Sequence, residues 1–341
     1  MKTALKAFSS IICLLLVLTS CTSGQRCERE GQRKTWNENN GRLKVLCTIA
    51  MIEDLVREIG GENVDTWSLI RGQMDPHTYQ LVKGDGEQLD YADCVFYHGL
   101  NLEHGPSLKQ FLVNNDKAVA VADAIAMAFP ERILYVNQEL DPHLWMDVSL
   151  WLEGIDVIVK TLSDLKPEFA DAFAARGEKL RSFLRNLHDD LRSICLKIPS
   201  EKRFIVTSHD AFNYFARAYL ADEKETEQSM WGIRVMAPEG LAPDSQLSPV
   251  DIQLMIDHLK TFQIHVLFTE SNVNPDSIRK IVDAGREKGL DLVIADATLY
   301  ADAMGCPGSP GDSYQEMMQH NVNVISKYIR ENTNSEVGDG S

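Results

Sequence analysis

The sequence predicts an α/β protein of two lobes, each a mostly parallel sheet flanked by helices, joined by one long helix. Three observations carry that expectation. Short apolar, β-branched runs alternate with helix-patterned stretches both before residue 167 and after residue 197, the pattern of strand–helix–strand units that pair in parallel. Between them, residues 167–197 hold no proline after Pro167 and one glycine, Gly177, while Phe169, Phe173, Leu180, Leu184, Leu187, Leu191 and Ile194 recur at helical spacing. Finally, 341 residues suffice for two domains at the roughly 100–200 residues usual for one. At ~1.5 Å per residue the central helix would be about 45 Å long, enough to run the height of both lobes. Two shorter helices broken at Gly177 are the alternative.

Residues 1–20 have the form of a signal peptide. Lys2 and Lys6 precede an apolar run over residues 11–18, too short to cross a ~30 Å hydrocarbon core. Leu18-Thr19-Ser20-Cys21 resembles a bacterial lipobox, which would make Cys21 the lipidated first residue of the mature chain; a plain cleavage site with Cys21 incidental is the alternative. The expected product is exported and lipid-anchored to a bacterial membrane, on its periplasmic or cell-surface face. No later stretch approaches the ~20 apolar residues of a transmembrane helix. Residues 21–42 are polar with a single Trp and read as a flexible linker.

The first lobe is expected over residues 43–166. Strand candidates are 43–49, 64–70, 92–97 and 118–122, with a helix-like segment ending near Gly60-Gly61. The linking helix follows at 167–197. The second lobe spans 198–330, with strands at 203–207, 264–269 and 290–295 and helices at 249–261, 275–288 and 313–330. Residues 221–248, rich in charge, Pro and Met, read as a long surface loop, and residues 331–341 as a disordered tail.

Composition excludes several classes of function. With 34 Lys+Arg against 50 Asp+Glu the formal charge is −16, so a nucleic-acid partner, which needs clustered Lys and Arg, is not expected. Seven cysteines without a CxxC pair fit neither a disulfide framework nor a zinc ribbon.

In open α/β sheets ligands sit at the carboxyl ends of the strands, and there the unusual residues gather. Asp75-Pro76-His77 and Asp141-Pro142-His143 repeat one tripeptide, each followed by x-aromatic. Asp is a good N-cap and Pro suits the next position, so each His would lie at a helix mouth, whose positive end keeps imidazole neutral with a lone pair for a metal. Two ordinary N-caps are the bland reading. His209 follows strand candidate 203–207, and Glu270 and Asp296 follow the next two, with Asp302 a little further on. Three His and one carboxylate would close a four-ligand site for a divalent transition metal, drawn from both lobes. Spacing leaves the fourth ligand open, and position at a strand end favours Asp296.

MDPHTY, HGLNLE at 98–103, DPHLWMDVSLW at 141–151, VTSHDAFNYFARAY at 206–219 and LYADAMG…GDSYQEMMQHN stand in this order. On these motifs the chain, over about residues 43–330, resembles the metal-binding substrate-binding proteins of ABC transporters, the TroA-like group that takes up zinc, manganese or iron. The resemblance implies a helical-backbone receptor with His77, His143 and His209 as ligands. It also implies Asp302 as the fourth, because that group's closing Asp shortly precedes a motif like Gly311-Asp312-Ser313-Tyr314. Asp147, Asp210 and Glu270 become candidates for orienting the ligands. A permease in the cytoplasmic membrane is the implied partner, the cargo one divalent ion (zinc or manganese, with iron a further option), and the receptor a monomer. Two departures stand out: His98 occupies a position where the group more often has Asn, and residues 230–246 replace a shorter loop. The His-rich acidic loop frequent in zinc-dedicated members is absent from residues 81–89. His104, His188, His258, His265 and His320 read as surface or packing residues, and Met317 and Met318 as core.

A closed set of three His and one Asp suits carriage, since a catalytic zinc keeps a position for water. A secreted metal-dependent hydrolase would need that position and a base, and no HExxH supplies them. A surface adhesin stabilised by metal is the other alternative.

Overall fold

The computed structural model describes residues 32–243 and 247–338. In the first lobe, β1 (Leu43–Cys47), β2 (Val64–Ser68), β3 (Cys94–Tyr97) and β4 (Ala118–Ala120) form one parallel sheet in the order β2-β1-β3-β4. Val45 lies opposite Thr66 on one side and Cys94 on the other, and Val95 opposite Ala118. Helices α1 (Ala50–Gly60), α2 (Asp85–Tyr91), α3 (Pro106–Val113) and α4 (Val121–Ala128) lie between or after these strands. Both faces of β1 are covered, so Val45, Leu46 and Cys47 are fully buried, which explains why the strand reads as a continuous apolar run. A short antiparallel hairpin, β5 (Tyr135–Val136) and β6 (Glu139–Leu140), leads into the second DPH tripeptide, and α5 (Val148–Trp151) and α6 (Gly154–Leu165) complete the lobe.

Helix α7 (Ala170–Leu196) is unbroken over 27 residues, about 40 Å, after a 3-10 turn at Pro167–Phe169. Its buried positions Phe173, Gly177, Arg181, Leu184, Leu187, Leu191 and Cys195 step by three and four residues and form one stripe. Gly177 does not interrupt it: a β-carbon there would stand 2.7 Å from Val159 Cγ2 and 3.2 Å from Ile155 Cγ2, so the glycine is what lets α6 and α7 pack closely.

The second lobe pairs β7 (Ile205–Val206) with β8 (Val235–Met236) and β9 (Val266–Leu267) with β10 (Val293–Ile294), both in parallel. The Phe268 N–H donates to Val206 O at 2.8 Å and joins the pairs into the order β8-β7-β9-β10. Its helices are α8 (Asn213–Phe215, running into a π-turn at Ala216–Leu220), α9 (Gln228–Trp231), α10 (Pro249–Thr261), α11 (Asp276–Glu287) and α12 (Tyr314–Gly338). At the start of α10 the Ser248 hydroxyl and the Asp251 carboxylate cap each other's backbone N–H groups, the box expected of Ser-Pro-x-Asp at a helix start. One hydrophobic core runs through both lobes and α7, from Val45 and Phe96 through Leu187 to Phe268 and Met317. A smaller one under α10 and α11 holds Leu259, Leu267 and Ile278.

Three expectations need correction. Residues 1–31, with the signal segment and Cys21, lie outside the described residues, but the expected linker is anchored to the first lobe at Trp36. Residues 32–36 form a helical turn, Trp36 is buried against Trp67 and Tyr91, and its Nε1–H donates to Asp65 O at 3.1 Å. A lone Trp in a polar stretch finds a hydrophobic seat. Second, residues 221–248 are not simply a surface loop, since they contain α9, the buried Trp231 and strand β8. Buried Arg234 fastens this segment through Asp222, Glu225 and Ser200. Third, α12 continues past Arg330 into the expected tail.

Replacing Gly177 with Leu should force α6 and α7 apart. The expected loss is about 1–3 kcal/mol, read as a lower urea midpoint with an unchanged slope.

Candidate metal centre

Each DPH tripeptide is a tight turn closed by its own aspartate. The Asp75 carboxylate accepts the His77 N–H at 2.8 Å and the Thr78 hydroxyl at 2.7 Å. Asp141 accepts the His143 N–H at 2.9 Å. These are Asx turns, not the helix N-caps expected from sequence. No helix starts at His77, the next one (α2) beginning only at Asp85, and His143 itself precedes the 3-10 turn Leu144–Met146. A helix dipole therefore does not set the state of either imidazole.

Carboxylates and burial do so instead. Asp141 Oδ1 also accepts the His143 Nδ1–H at 2.8 Å, turning Nε2 toward the space between the lobes. Glu270, beyond β9, grips with its carboxylate the Nδ1–H of His209, which follows β7, and accepts the N–H groups of Ser208 and His209 at 2.8 and 3.0 Å. Asp302, beyond β10, receives the Asn272 amide at 3.1 Å, and the Trp145 indole holds the neighbouring Ala301 carbonyl at 3.0 Å. Tyr214 knits the lobes together beside the site, donating to Asp141 O and accepting the Leu134 N–H.

His77, His143, His209 and Asp302 each offer one ligand atom, and these four atoms lie within 4.8 Å of one another. His77 Nε2 and His143 Nε2 are 3.3 Å apart. Asp302 oxygens lie 3.3 Å from His143 Nε2 and 3.1 Å from His209 Nε2. All four residues are buried. His209 Nε2 and Asp302 Oδ1 are fully enclosed and, despite these close approaches, make no well-aligned hydrogen bond, an arrangement that a cation would complete. The donor set thus suits a divalent transition metal.

Burial lowers the His77 pKa to about 3, against the pull of Asp302, so its ring is neutral. Burial would also lower those of His143 and His209, but contacts with carboxylates win. Asp141 and Asp302 raise His143 to about 9, and Asp302 and Glu270 raise His209 well above its usual value. Asp302 is held well below the ordinary carboxylate range because the two imidazoles outweigh its burial.

Of the carboxylates expected to orient ligands, only Glu270 touches one. Asp147 caps α5 through the Ser149 N–H and pairs with Arg132 and Arg217. Asp210 reaches His143 indirectly, through Asn213, whose amide bridges Asp210 and Asp141. Burial raises Asp210 to about 6, with Asp141 adding to the effect. The missed residue is Asp141, whose place two residues before a ligand candidate was the available signal. Asp296, favoured by strand-end position, is exposed, and its N–H goes to the Tyr328 hydroxyl. His98 is fully buried between Trp145 and Trp151 and donates to Pro142 O at 2.6 Å, bracing the second DPH turn from behind.

The family described as zinc-uptake complex component A, periplasmic (ZnuA), matches residues 45–328. The chain belongs to the ZnuA family. It is 35% identical over 292 residues to the manganese-binding lipoprotein MntA of Bacillus subtilis, covering 84% of this chain and 90% of that one. Among solved structures, Fe(III)-bound YtgA from Chlamydia trachomatis superposes with a TM-score of 0.79 at 31% identity, over 84% of this chain and 98% of that one. The periplasmic zinc-binding protein TroA from Treponema pallidum gives 0.75 at 30% identity, over 85% and 99%. ZnuA-family membership makes the protein an extracytoplasmic metal-binding component of an ABC uptake system, with a permease as its partner, and not an enzyme.

Protonation of the metal-free site should shape its pH dependence. His143, raised to about 9, stabilises the fold below the unfolded value of about 6.5, and that contribution fades as pH rises through about 9. His77 and His98, both lowered to about 3, act oppositely, so stability should fall as pH drops below about 6.5. Denaturant midpoints of metal-free protein between these limits should trace a dome, and a flat profile would contradict the assignment.

Proposed function

We propose that His77, His143, His209 and Asp302 bind one divalent transition metal ion as cargo, and that the protein hands this ion to its permease. The observation that carries this reading is the meeting of four buried ligand atoms, two from each side of α7, within 4.8 Å. A set closed by protein atoms leaves no position reserved for an attacking water, which suits capture and release. Asp141 and Glu270 orient two of the three imidazoles from behind, as carboxylates commonly do for metal-bound histidines.

The cargo is zinc or manganese, with iron a further option. The likeness to proteins named for manganese, zinc and Fe(III) does not choose among them, and intrinsic affinity favours zinc whatever the biological cargo. In this reading Cys21 carries the lipid that tethers a monomeric receptor to the membrane. The mass of the mature N-terminal peptide should include a diacylglyceryl group that Cys21→Ala removes, and sedimentation should give the monomer mass.

Elemental analysis of protein purified under metal limitation, with competitive titration of Zn, Mn and Fe(II), tests the site. One equivalent is expected. Absence of stoichiometric metal, or equal binding by a His77→Ala, His143→Ala double variant, would sink the proposal. Binding should release protons from His143 and His209, so apparent affinity rises with pH and the calorimetric heat depends on the buffer. Chelation should leave the protein folded and able to rebind, whereas a metal-stabilised adhesin would unfold.

Glu270→Gln isolates the orienting carboxylate. A glutamine keeps an oxygen for the Ser208 and His209 N–H groups but cannot fix His209 in the same way. Metal affinity should drop about 10–100-fold, while Asp147→Asn should lower stability and leave affinity near wild type.

A further inference from the structure

One histidine near the cluster has no role in the site as described. The His104 ring lies 5.5 Å from that of His77, centroid to centroid. The rings of the proposed ligands stand 5.3 to 6.3 Å from each other, so His104 is as near to His77 as the ligands are to one another. It differs in exposure, being half-buried where His77, His143 and His209 are shut in. His104 therefore extends the row of imidazoles outward toward solvent.

Its ring is also held in a metal-ready tautomer. His104 Nδ1 lies 3.2 Å from Asn101 O. A carbonyl only accepts, so Nδ1 carries the proton and the lone pair remains on Nε2. A backbone carbonyl on the other nitrogen is a common support for a metal-bound histidine.

The turn that supplies this carbonyl is a built feature. Gly99, Leu100 and Asn101 have φ of +88°, +47° and +61°, a left-handed run that is unfavourable for leucine and needs fixing from outside. Buried Glu103 accepts the His98 and Gly99 N–H groups at 2.7 and 3.1 Å, and Asp123 accepts the Leu100 N–H at 2.7 Å.

We propose that His104 is a capture ligand. A hydrated divalent cation exchanges a water for His104 Nε2 at the mouth of the cleft, then passes to His77 and inward as His143, His209 and Asp302 replace further waters. His104 is released as the inner set closes. This deepens the proposed function and rests on the four-ligand reading.

A residue that binds the ion only in passage speeds entry and exit alike, whereas a residue that merely packs against His77 changes the affinity. Stopped-flow mixing of metal-free protein with Zn(II) and with Mn(II) separates them, and Trp145, 5.3 Å from His143, offers a fluorescent reporter. His104→Phe keeps a ring against His77 without a nitrogen lone pair, and His104→Ala removes both. Both variants should associate about tenfold more slowly, a barrier increase of about 1.4 kcal/mol, with dissociation slowed equally and Kd unchanged. Long-range 15N–1H spectra of the metal-free wild type should show His104 protonated at Nδ1. A His104→Phe protein that associates at the wild-type rate overturns the inference, as does a loss seen only in dissociation or a ring protonated at Nε2. If wild type binds no metal, the four-ligand reading itself fails.

Discussion

Asp141 and Glu270 grip histidine Nδ1–H groups from opposite lobes, and the geometry of the cleft depends on those two contacts. Each fixes a ring so that its Nε2 faces Asp302, and each leaves a carboxylate in the dry interior. Buried charge is tolerated only where it is paired and hydrogen-bonded, and both are. Glu270 takes two backbone N–H groups besides the imidazole, and Asp141 takes the His143 N–H and the Asn213 amide. His77 differs. Its backbone is fixed by Asp75, but burial governs its ring and keeps it neutral. The site thus combines two imidazoles that attract protons with one that repels them, around a carboxylate held ionised.

The scaffold keeps these groups in register from further away. Trp145 reaches from the first lobe to the Ala301 carbonyl beside Asp302, and the Tyr314 hydroxyl at the start of α12 donates to Trp145 O at 2.6 Å. Tyr219 and Arg217 reach from the helical stretch after His209 to Val148 and to Arg132 and Asp147. The loop bearing His143 is therefore bonded to the second lobe at least as firmly as to the first. Trp145 of the DPHLW motif and Tyr219 and Arg217 of the HDAFNYFARAY motif carry these links.

Much of this was legible in the sequence because it rests on local chemistry. Alternating apolar runs mark the parallel strands, and the stripe from Phe173 to Leu191 marks α7. Two DPH tripeptides and a strand-end His mark three of the four clustered residues. The rest depends on contacts between distant segments. Strand-end reasoning favoured Asp296 over Asp302 because it could not see that the chain runs past β10 before Asp302 turns inward under Trp145. Local sequence reads Asp141 as a cap, and only the fold reveals that its side chain also reaches His143 Nδ1. Trp36 and strand β8 were missed for the same reason: their partners, Asp65 and Ile205–Val206, lie about thirty residues away in each case, beyond what local periodicity registers.

The shared hydrophobic core has a consequence for how such a chain can be divided. Val45, Leu187, Phe215, Phe268 and Met317 belong to one continuous interior, so neither lobe owns a complete set of inward-facing surfaces. A fragment ending within α7 would present that helix's apolar stripe and the adjoining sheet face to water, and separately expressed halves would have to find each other before either became stable. In folding terms the two-lobed body is a single unit.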